Sequence, residues 1–251
     1  MNILITSGGT SEKIDDVRHL TNHATGRLGK EIALALKEES LAIHYVHGPQ
    51  AVLPDNQNCQ FYPIASVKEL YNIMETLLTT ISFDYVIHSM AVSDYELDVA
   101  TDEELLAKKI AEDVLKNSFE TPEDLTTIIK NSLLHSDNIP QNKQKKISSK
   151  NDKLILMMKK APKIIGHIKQ WQPNTYLIGF KLLVDVPEEN LVSVAQESIV
   201  KNHADLILAN DLIHIKDSQH LALLISKDGI EQRYTTKKEI AQGIKKIIVS
   251  K

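Results

Sequence analysis

Residues 1–37 read MNILITSGGTSEKIDDVRHLTNHATGRLGKEIALALK, and this stretch decides the fold. Its segment Ile3–Thr6 has the length and apolar character of a buried strand. Further on, apolar residues recur at the spacing of one helical face, at Leu28, Ile32, Ala35 and Leu36. A long polar loop, which begins at Gly8-Gly9, separates the strand from the helix. The stretch therefore predicts the first β/α unit of an α/β fold, with a loop large enough to hold a ligand.

The same alternation of strands and helices continues along the chain. Further strands are predicted at Leu41–Val46, Tyr85–His88, Leu154–Met158, Tyr176–Phe180 and Asp205–Ala209. Helices are predicted from Ser66 to about Thr79, from Ala161-Pro162 onward, over 187–200 and after a cap at Thr236. A C-terminal hairpin is predicted at Leu221–Ile225 and Glu231–Tyr234, around the turn Lys227-Asp228-Gly229. The predicted fold class is α/β: one domain over residues 1–251 with a Rossmann-like, doubly wound, mostly parallel sheet, a helical insertion and a C-terminal hairpin.

Residues 97–145 interrupt this alternation. One helix is predicted to start at Thr101-Asp102-Glu103-Glu104 and another at Thr121-Pro122-Glu123-Asp124. A polar tail, SDNIPQNKQKK, follows without apolar periodicity. We therefore expect an insertion that ends in a mobile flap, at about residues 97–150.

Composition excludes several classes of protein. Lys+Arg 29 against Asp+Glu 33 gives 29 − 33 = −4, whereas a nucleic-acid surface would show a basic excess. No run approaches the roughly 18 apolar residues of a membrane span. Cys59 is the only cysteine, so an intramolecular disulfide is excluded and a thiolate zinc site is disfavoured. We expect a soluble cytoplasmic protein that binds neither nucleic acid nor membrane.

Several informative segments lie at the carboxyl ends of predicted strands, where doubly wound sheets bind ligands. They are Ser7–Thr10, His47-Gly48-Pro49, Ser89–Tyr95, Gly179–Lys181 and Ala209–Asp211. A nucleotide site is therefore predicted. The dinucleotide fingerprint fails, because no helix follows Gly8-Gly9 directly and the second strand ends without a carboxylate. A P-loop of the form GxxxxGK[ST] is also absent from the sequence.

The segment Ala24–Gly29 opens the first helix, where free N–H groups and the helix dipole favour an anion. Its two glycines could instead serve only close packing of the helix on the sheet. Arg18, Asn22 and Arg27 favour the anion site, because guanidinium and amide groups are suited to a carboxylate or phosphate ligand.

These residues resemble a known family. ITSGGTSEKIDDVRHLTNHATGRLG, with AVSDY, GF and ADLILAND further along, is similar to the phosphopantothenoylcysteine synthetases (phosphopantothenate–cysteine ligases) of coenzyme A biosynthesis. The similarity covers nearly the whole chain apart from roughly 97–145. The chain resembles the stand-alone bacterial form of the family rather than the form fused behind a flavin-dependent decarboxylase.

The resemblance implies a two-step reaction that joins 4′-phosphopantothenate to L-cysteine, using a nucleoside triphosphate and Mg²⁺. The substrate carboxylate forms an acyl-nucleotide with release of pyrophosphate, and the cysteine amine then displaces the nucleoside monophosphate. It also implies CTP rather than ATP as co-substrate, and a homodimer.

The resemblance also implies roles for individual residues. Asn22 holds the acyl-nucleotide, Arg18 assists it, and Lys146 is the catalytic lysine of a flap, with Lys143, Lys145 and Lys150 as competitors. The pantothenate substrate is bound by Arg18, Asn22, Ala24, Gly26 and Arg27. The nucleotide is bound by Gly8, Gly9, Thr10, Met90, Ala91, Asp94, Phe180, Lys201 and Asn210.

Some of these roles have alternatives. Phe180 could belong to the core, and Asp94 could cap a turn; otherwise Asp94 lies near the nucleotide or its Mg²⁺, which is held mainly by the phosphates. Only Lys201 stands where relatives often carry two lysines, which leaves the base specificity open. Two other functions compete with the ligase: an NAD(P)-linked reductase on the same fold, and a nucleotide sensor without enzymatic activity.

Overall fold

The computed structural model describes residues 1–37, 39–135, 139, 153–216 and 219–250. The chain forms two compact units. The first, called here the sheet unit, comprises Met1–Ser11, Thr21–Ser93 and Pro162–Lys251. The second, called here the insert unit, comprises Glu12–Leu20 and Asp94–Ala161.

The described strands and helices alternate over most of the chain. The strands are β1 (Asn2–Ser7), β2 (Ser11–Lys13), β3 (His19–Thr21), β4 (Ala42–His47), β5 (Cys59–Pro63), β6 (Tyr85–His88), β7 (Tyr95–Asp102), β8 (Leu154–Lys160), β9 (Tyr176–Leu183), β10 (Leu206–Asp211), β11 (Ala222–Ser226) and β12 (Gly229–Tyr234). The helices are α1 (Arg27–Ala35), α2 (Val67–Thr80), α3 (Glu103–Leu115), α4 (Pro122–Leu134), α5 (Ile164–Trp171), α6 (Glu188–Asn202) and α7 (Lys237–Val249).

The main sheet has eight strands in the order β12-β11-β10-β9-β6-β1-β4-β5. Six strands of this sheet pair in parallel: β5, β4, β1, β6, β9 and β10. Strands β11 and β12 are added antiparallel as the C-terminal hairpin. Counted along the chain, the parallel strands have the Rossmann order 3-2-1-4-5-6, whose switch point lies between β1 and β6. The predicted fold class is confirmed. The short β2–β3 pair lies in the loop between β1 and α1.

Helices cover both faces of the main sheet. On one face, α1 and α7 bury Ile32 and Ile244 against alternate strand residues such as Ile5 and Ile87. Leu4, between the inward positions of β1, points to the other face and is also fully buried. Each such side chain contributes about 1.5–3 kcal/mol through burial, so the near-continuous apolar strands stabilise a sheet covered on both faces.

Three predicted helix starts are confirmed by their caps. The hydroxyls of Ser66, Thr121 and Thr236 each accept a hydrogen bond from the main-chain N–H three residues later. The predicted start at Ala161-Pro162 is wrong, because α5 begins at Ile164. The Ala161 N–H donates to the Asp94 carbonyl at 3.0 Å, so this residue still belongs to the extended pairing of the strand before it.

The insert unit contains an antiparallel strand pair and a helical hairpin. Strands β7 and β8 pair from Tyr95↔Lys160 to Asp102↔Leu154, and α3 packs on α4 between them. The predicted strand Leu154–Met158 is confirmed as part of β8, but it pairs with β7 instead of with the main sheet, and β7 was not predicted. Strand β7 leads into the helical hairpin, β8 leads out of it, and the two strands pair with each other, so the insertion begins and ends at the same place. The insert unit extends beyond the predicted bounds of 97–150.

The described part of the chain contains no helix with both the length and the apolar character needed to cross a bilayer.

His220 is a buried titratable residue of the sheet unit. Its side chain is 6% exposed, and neither ring nitrogen has a hydrogen-bond partner among the described residues. Burial, together with the nearby Lys237 charge, lowers the pKa of His220 to about 4.

We predict that His220 makes the fold less stable in acid. The pKa is 6.5 in the unfolded chain and about 4 in the fold, so the unfolded chain takes up the proton first. Above pH 6.5 the ring is neutral in both states, and the free energy of unfolding does not depend on its titration. As the pH falls from 6.5 to about 4, protonation of the unfolded chain lowers the free energy of unfolding by at most about 3 kcal/mol. Urea unfolding between pH 7 and 4 measures this loss.

The variant His220→Leu should show a smaller decrease in unfolding free energy over the same pH range. His135→Asn is the matched control, because His135 is exposed at the end of α4. An unchanged pH dependence in His220→Leu would contradict the assignment of this titration to the buried ring.

Candidate active site

The loops after β1 and β6 are joined by main-chain hydrogen bonds. The Ala91 N–H donates to the Gly8 carbonyl at 2.8 Å, and the Thr10 N–H donates to the Ala91 carbonyl at 3.2 Å. Gly9 and Ala91 form an isolated parallel bridge. The pairing of β1 with β6 therefore continues beyond the sheet, and a ligand at the switch point must lie on the joined loops rather than between the strands.

The loop Ser89–Ser93 uses most of its main-chain donors inside the protein. The Met90 N–H donates to the Thr6 hydroxyl at 3.3 Å, and the Ser93 N–H donates to the Thr10 hydroxyl at 3.0 Å. Thr10 is fully buried. The predicted site residues Thr10, Met90 and Ala91 are thus brought together, and they fix the shape of the loop through these bonds.

The joined segments Gly8–Thr10 and Ser89–Ser93 are called here the ledge. Glycines allow other segments to approach the ledge closely. A Cβ at Gly48 would lie 2.0 Å from the Gly9 carbonyl oxygen, and one at Gly8 would lie 2.8 Å from the Ala51 Cβ. Gly8 and Gly26 also have φ of 83° and 69°, in the left-handed region that favours glycine. A Cβ at Gly29 would lie 2.4 Å from the Ser7 Oγ, so the packing interpretation holds for Gly29.

The N-terminus of α1 presents unshielded positive charge. Gly26 is its N-cap, so no side chain caps the first N–H groups, and the first turn contains no acidic residue. Arg27, the first helical residue, is exposed, and its side chain makes no hydrogen bond or ion pair with any other residue that the structure describes. Free N–H groups and a free guanidinium at one helix end suit an anionic ligand.

Asn22 is anchored to the joined loops. Its side-chain Nδ2 donates to the Ala91 carbonyl at 3.3 Å while the residue remains exposed. The Thr21 hydroxyl donates to the Thr10 carbonyl at 3.0 Å, which holds the neighbouring residue in place. A Cβ at Gly9 would lie 3.1 Å from the Asn22 carbonyl oxygen. The structure thus places Asn22 beside Gly9 and Ala91, as the predicted site requires.

Arg18 lies in the insert unit, and its charge is already paired. Its Nε and Nη2 lie 3.0 and 2.5 Å from the Asp15 Oδ2. The Asp15 side chain is 1% exposed, and its other oxygen accepts the N–H groups of Val17 and Arg18. Sequence reasoning missed Asp15, although a carboxylate three residues before an arginine is a visible signal. This carboxylate fixes the orientation of Arg18 and balances its charge.

The remaining predicted residues are more dispersed. Phe180 lies on β9 and packs against the core, as its alternative interpretation stated, and Lys201 is exposed in the last turn of α6. Asp94 is exposed in the insert unit. Lys146 and its competitors Lys143, Lys145 and Lys150 lie outside the described residues. Among the residues that are described, no group of three or more His, Cys, Asp or Glu could hold a metal ion.

Asn210 and Asp211 end strand β10 and are both buried. The Asp211 carboxylate accepts main-chain N–H groups from Asp185 at 3.0 Å, Val186 at 2.8 Å and Ile213 at 3.0 Å. These bonds, led by the one from Val186, lower the pKa of Asp211 below its ordinary value. Asp211, which sequence reasoning did not assign, therefore anchors the loop after β9 beside Asn210.

Comparison with known proteins identifies the family. Residues 1–135 and 109–251 match the model of the DNA/pantothenate metabolism flavoprotein C-terminal domain, and the chain belongs to this family. The two ranges together include residues 97–145, which the sequence resemblance had set outside the family pattern.

One solved relative matches along its whole length. The crystal structure of the DNA/pantothenate metabolism flavoprotein from Streptococcus pneumoniae is 39% identical, with a TM-score of 0.80, and the match covers 100% of this chain and 99% of that one. The coenzyme A biosynthesis bifunctional protein CoaBC of Thermococcus kodakarensis is 25% identical over 245 residues, which are 96% of this chain and 49% of that protein. The chain thus spans about half the length of the curated relatives it matches.

A more distant structure shows the same fold. A Cab2 variant in complex with phosphopantothenate-cysteine is 14% identical, with a TM-score of 0.64, covering 99% of this chain and 88% of that one. Neither these relatives nor the glycine spacing supports the NAD(P)-linked reductase that competed with the ligase.

We predict that Gly48→Ala weakens both the fold and the ledge. The added Cβ would meet the main chain of Gly9, which cannot move without breaking the Gly9–Ala91 pairing. The unfolding free energy should fall by about 1–3 kcal/mol. Gly166→Ala is the matched control, because its Cβ would meet nothing closer than 3.5 Å within helix α5. Equal stability of the two variants in urea unfolding would contradict the close approach.

Proposed function

We propose that this protein is a phosphopantothenate–cysteine ligase of coenzyme A biosynthesis. One observation carries the proposal: Asn22 is hydrogen-bonded to Ala91 on the joined loops after β1 and β6, where the motifs of this ligase family meet. Membership of the DNA/pantothenate metabolism flavoprotein C-terminal family supports it, as does the similarity to CoaBC proteins over almost the whole chain.

In the proposed first step, the carboxylate oxygen of 4′-phosphopantothenate attacks the α-phosphorus of CTP. The bond to the bridging oxygen breaks, pyrophosphate leaves with its electron pair, and an acyl-cytidylate forms. In the second step, the amine of L-cysteine attacks the acyl carbon. Cytidine monophosphate leaves, the amine loses a proton, and the amide 4′-phosphopantothenoylcysteine is formed.

The start of α1 is the proposed anchor for the pantothenate substrate. The uncapped N–H groups after Gly26 and the unpaired Arg27 would bind the phosphate of 4′-phosphopantothenate, with Ala24 beside them. Fixing the substrate by a group remote from the reacting carboxylate supplies orientation, which lowers the barrier without direct chemistry. Arg18, oriented by Asp15, is the further proposed substrate contact.

Asn22 is the proposed stabiliser of the acyl group. One hydrogen of its Nδ2 is used on the Ala91 carbonyl, so the amide is held before any ligand binds. The other hydrogen can donate to the acyl oxygen as negative charge develops there. An amide carries no proton that must first be removed, so it can hold the carboxylate in the first step and stabilise the oxyanion that forms at the acyl carbon in the second.

The nucleotide is proposed to lie along the joined loops, against the main chain of Gly8, Gly9 and Ala91. Phe180 on β9 and Asn210 at the end of β10 are the proposed contacts on the neighbouring strands, and Lys146 would neutralise the leaving pyrophosphate. Lys201, in the last turn of α6, lies toward the amino end of β10 and is not part of this proposal. The proposed Mg²⁺ ion is carried mainly by the nucleotide phosphates, with Asp94 as its one proposed carboxylate. CTP is preferred over ATP, and the active form is a homodimer, as the family resemblance implies.

Pyrophosphate release tests the proposal. The protein is mixed with Mg²⁺ and 4′-phosphopantothenate, with CTP or ATP, and with or without cysteine. We expect release that requires 4′-phosphopantothenate, is faster with CTP, and becomes a sustained turnover only when cysteine is added. No release with either nucleotide would contradict the ligase, and faster release with ATP would contradict the proposed co-substrate.

We further predict that Asn22→Ala separates the two half-reactions. Loss of the amide donor should slow amide formation by about 100-fold, and acyl-nucleotide formation by less, so that the acyl-nucleotide accumulates. Rapid-quench analysis of both species measures the two rates. Asn190→Ala is the control, because this asparagine is exposed near the start of α6. Equal slowing of both steps, or of neither, would count against the role of Asn22.

A further inference from the structure

His88 is a buried titratable residue to which the proposed mechanism assigns no task. It is the last residue of β6, is 6% exposed, and stands opposite Thr6 in the register of β1. Its Nδ1 lies 2.9 Å from the Thr6 hydroxyl oxygen. The loop Ser89–Ser93 begins at the next residue, so His88 lies directly behind the proposed nucleotide ledge.

The Thr6 hydroxyl connects His88 to that loop. The same oxygen accepts the Met90 N–H at 3.3 Å, and the Thr6 carbonyl accepts the Ser89 hydroxyl at 2.7 Å. Thr6 is fully buried, and its hydroxyl has no other partner among the described residues. Since an unsatisfied buried hydroxyl is costly, its hydrogen must be used at His88.

This requirement fixes the tautomer of the histidine. Burial lowers the pKa of His88 to about 4, so the ring is neutral near pH 7 and carries one proton. A proton on Nδ1 would leave the Thr6 hydrogen buried without an acceptor. A proton on Nε2 lets the Thr6 hydroxyl donate to Nδ1 while it accepts from Met90, so both hydrogen bonds of this hydroxyl are made.

We propose that His88 is a positioning residue for the loop Ser89–Ser93: its Nδ1 accepts the Thr6 hydroxyl hydrogen, and the hydroxyl thereby holds the Met90 N–H and the loop in register with β1. The proposal deepens the proposed function, since it concerns the loop on which the nucleotide is proposed to lie. The histidine acts through Thr6 and does not touch the ligand.

The spectroscopic test uses the wild-type protein. We expect the ¹⁵N chemical shifts of His88 at pH 7 to show an unprotonated Nδ1 and a protonated Nε2. A protonated Nδ1 would overturn the proposal, because the Thr6 hydroxyl could then no longer donate to the ring.

The second test measures hydrogen exchange at the Met90 amide. His88→Leu keeps an apolar volume but removes the acceptor, so exchange should accelerate about fivefold or more. His88→Asn, whose Oδ1 can replace Nδ1 as acceptor, should restore the slow exchange. Thr6→Val removes the hydroxyl at nearly constant shape and should behave like His88→Leu, which keeps the proposal testable if the leucine variant does not fold.

His44→Leu is the matched control. His44 is 8% exposed on β4, and its Nδ1 lies 2.8 Å from the Tyr62 hydroxyl. The variant loses a comparable buried bond that does not reach the loop. We expect it to leave Met90 exchange at the wild-type rate, and equal acceleration in both leucine variants would overturn a specific role for His88.

Steady-state kinetics tests whether the His88–Thr6 hydrogen bond affects nucleotide binding. In His88→Leu the nucleotide KM should rise about fivefold while kcat changes by less than about twofold, and His88→Asn should restore the KM. Unchanged Met90 exchange in His88→Leu would overturn the positioning role even in an active ligase. Accelerated exchange in a protein whose wild type lacks ligase activity would support the positioning of Met90 and would refute the proposed function alone.

Discussion

The pairing of Gly8–Thr10 with Ala91 is the interaction on which the rest of the site depends. It extends two adjacent parallel strands past the edge of the sheet, so that both loops become one ledge. Asn22 is fixed because the acceptor of its side chain is the Ala91 carbonyl. Gly48 must be a glycine because a Cβ there would lie 2.0 Å from the Gly9 carbonyl oxygen. A disturbance of this pairing would therefore displace several proposed ligand contacts together.

The same pairing explains how a Rossmann-ordered sheet can serve a chemistry other than dinucleotide binding. In the dinucleotide fold, a tight turn after the first strand leads directly into a helix that receives the pyrophosphate. Here a long loop with its own strand pair separates β1 from α1. The uncapped helix end and the ledge thus become two distinct features, one suited to an anionic anchor and the other to a second ligand. An acid and a nucleotide could bind side by side in such an arrangement.

Local signals explain what the sequence could predict. The caps at Ser66, Thr121 and Thr236 were predictable because each bond joins residues three positions apart. The parallel pairing of the strands was predictable because single helices join successive strands. Strand β7 was missed because its partner β8 lies about fifty residues later, beyond two helices and a polar tail, and its own residues 97–102 resemble the approach to a helix cap.

The site was predictable to a smaller extent. Residue types at predicted strand ends indicated Gly8, Gly9 and the segment that contains Ala91, and the family resemblance indicated Asn22; the fold brings these four together. His88 and Asp211 could not be assigned, since their partners are a hydroxyl and main-chain N–H groups that only the folded chain places beside them. Asp15 is different, because its partner Arg18 lies only three residues away and gives a visible signal. A buried carboxylate such as Asp211, which accepts N–H groups from another loop, has no sequence pattern of its own. Such residues hold the main chain of a site in place, although they take no part in the proposed reaction.

Hydrogen exchange measured by mass spectrometry, with and without Mg²⁺, CTP and 4′-phosphopantothenate, tests the central claim most directly. If the ligands lie on the joined loops, protection should appear at Gly8–Thr10, at Ser89–Ser93 and at the start of α1. A cleft of about 520 Å³, lined by Tyr176, Asp228 and Ile247, lies at the amino ends of β9 and β10. Protection confined to this cleft would contradict the account. Absence of protection anywhere would contradict it equally.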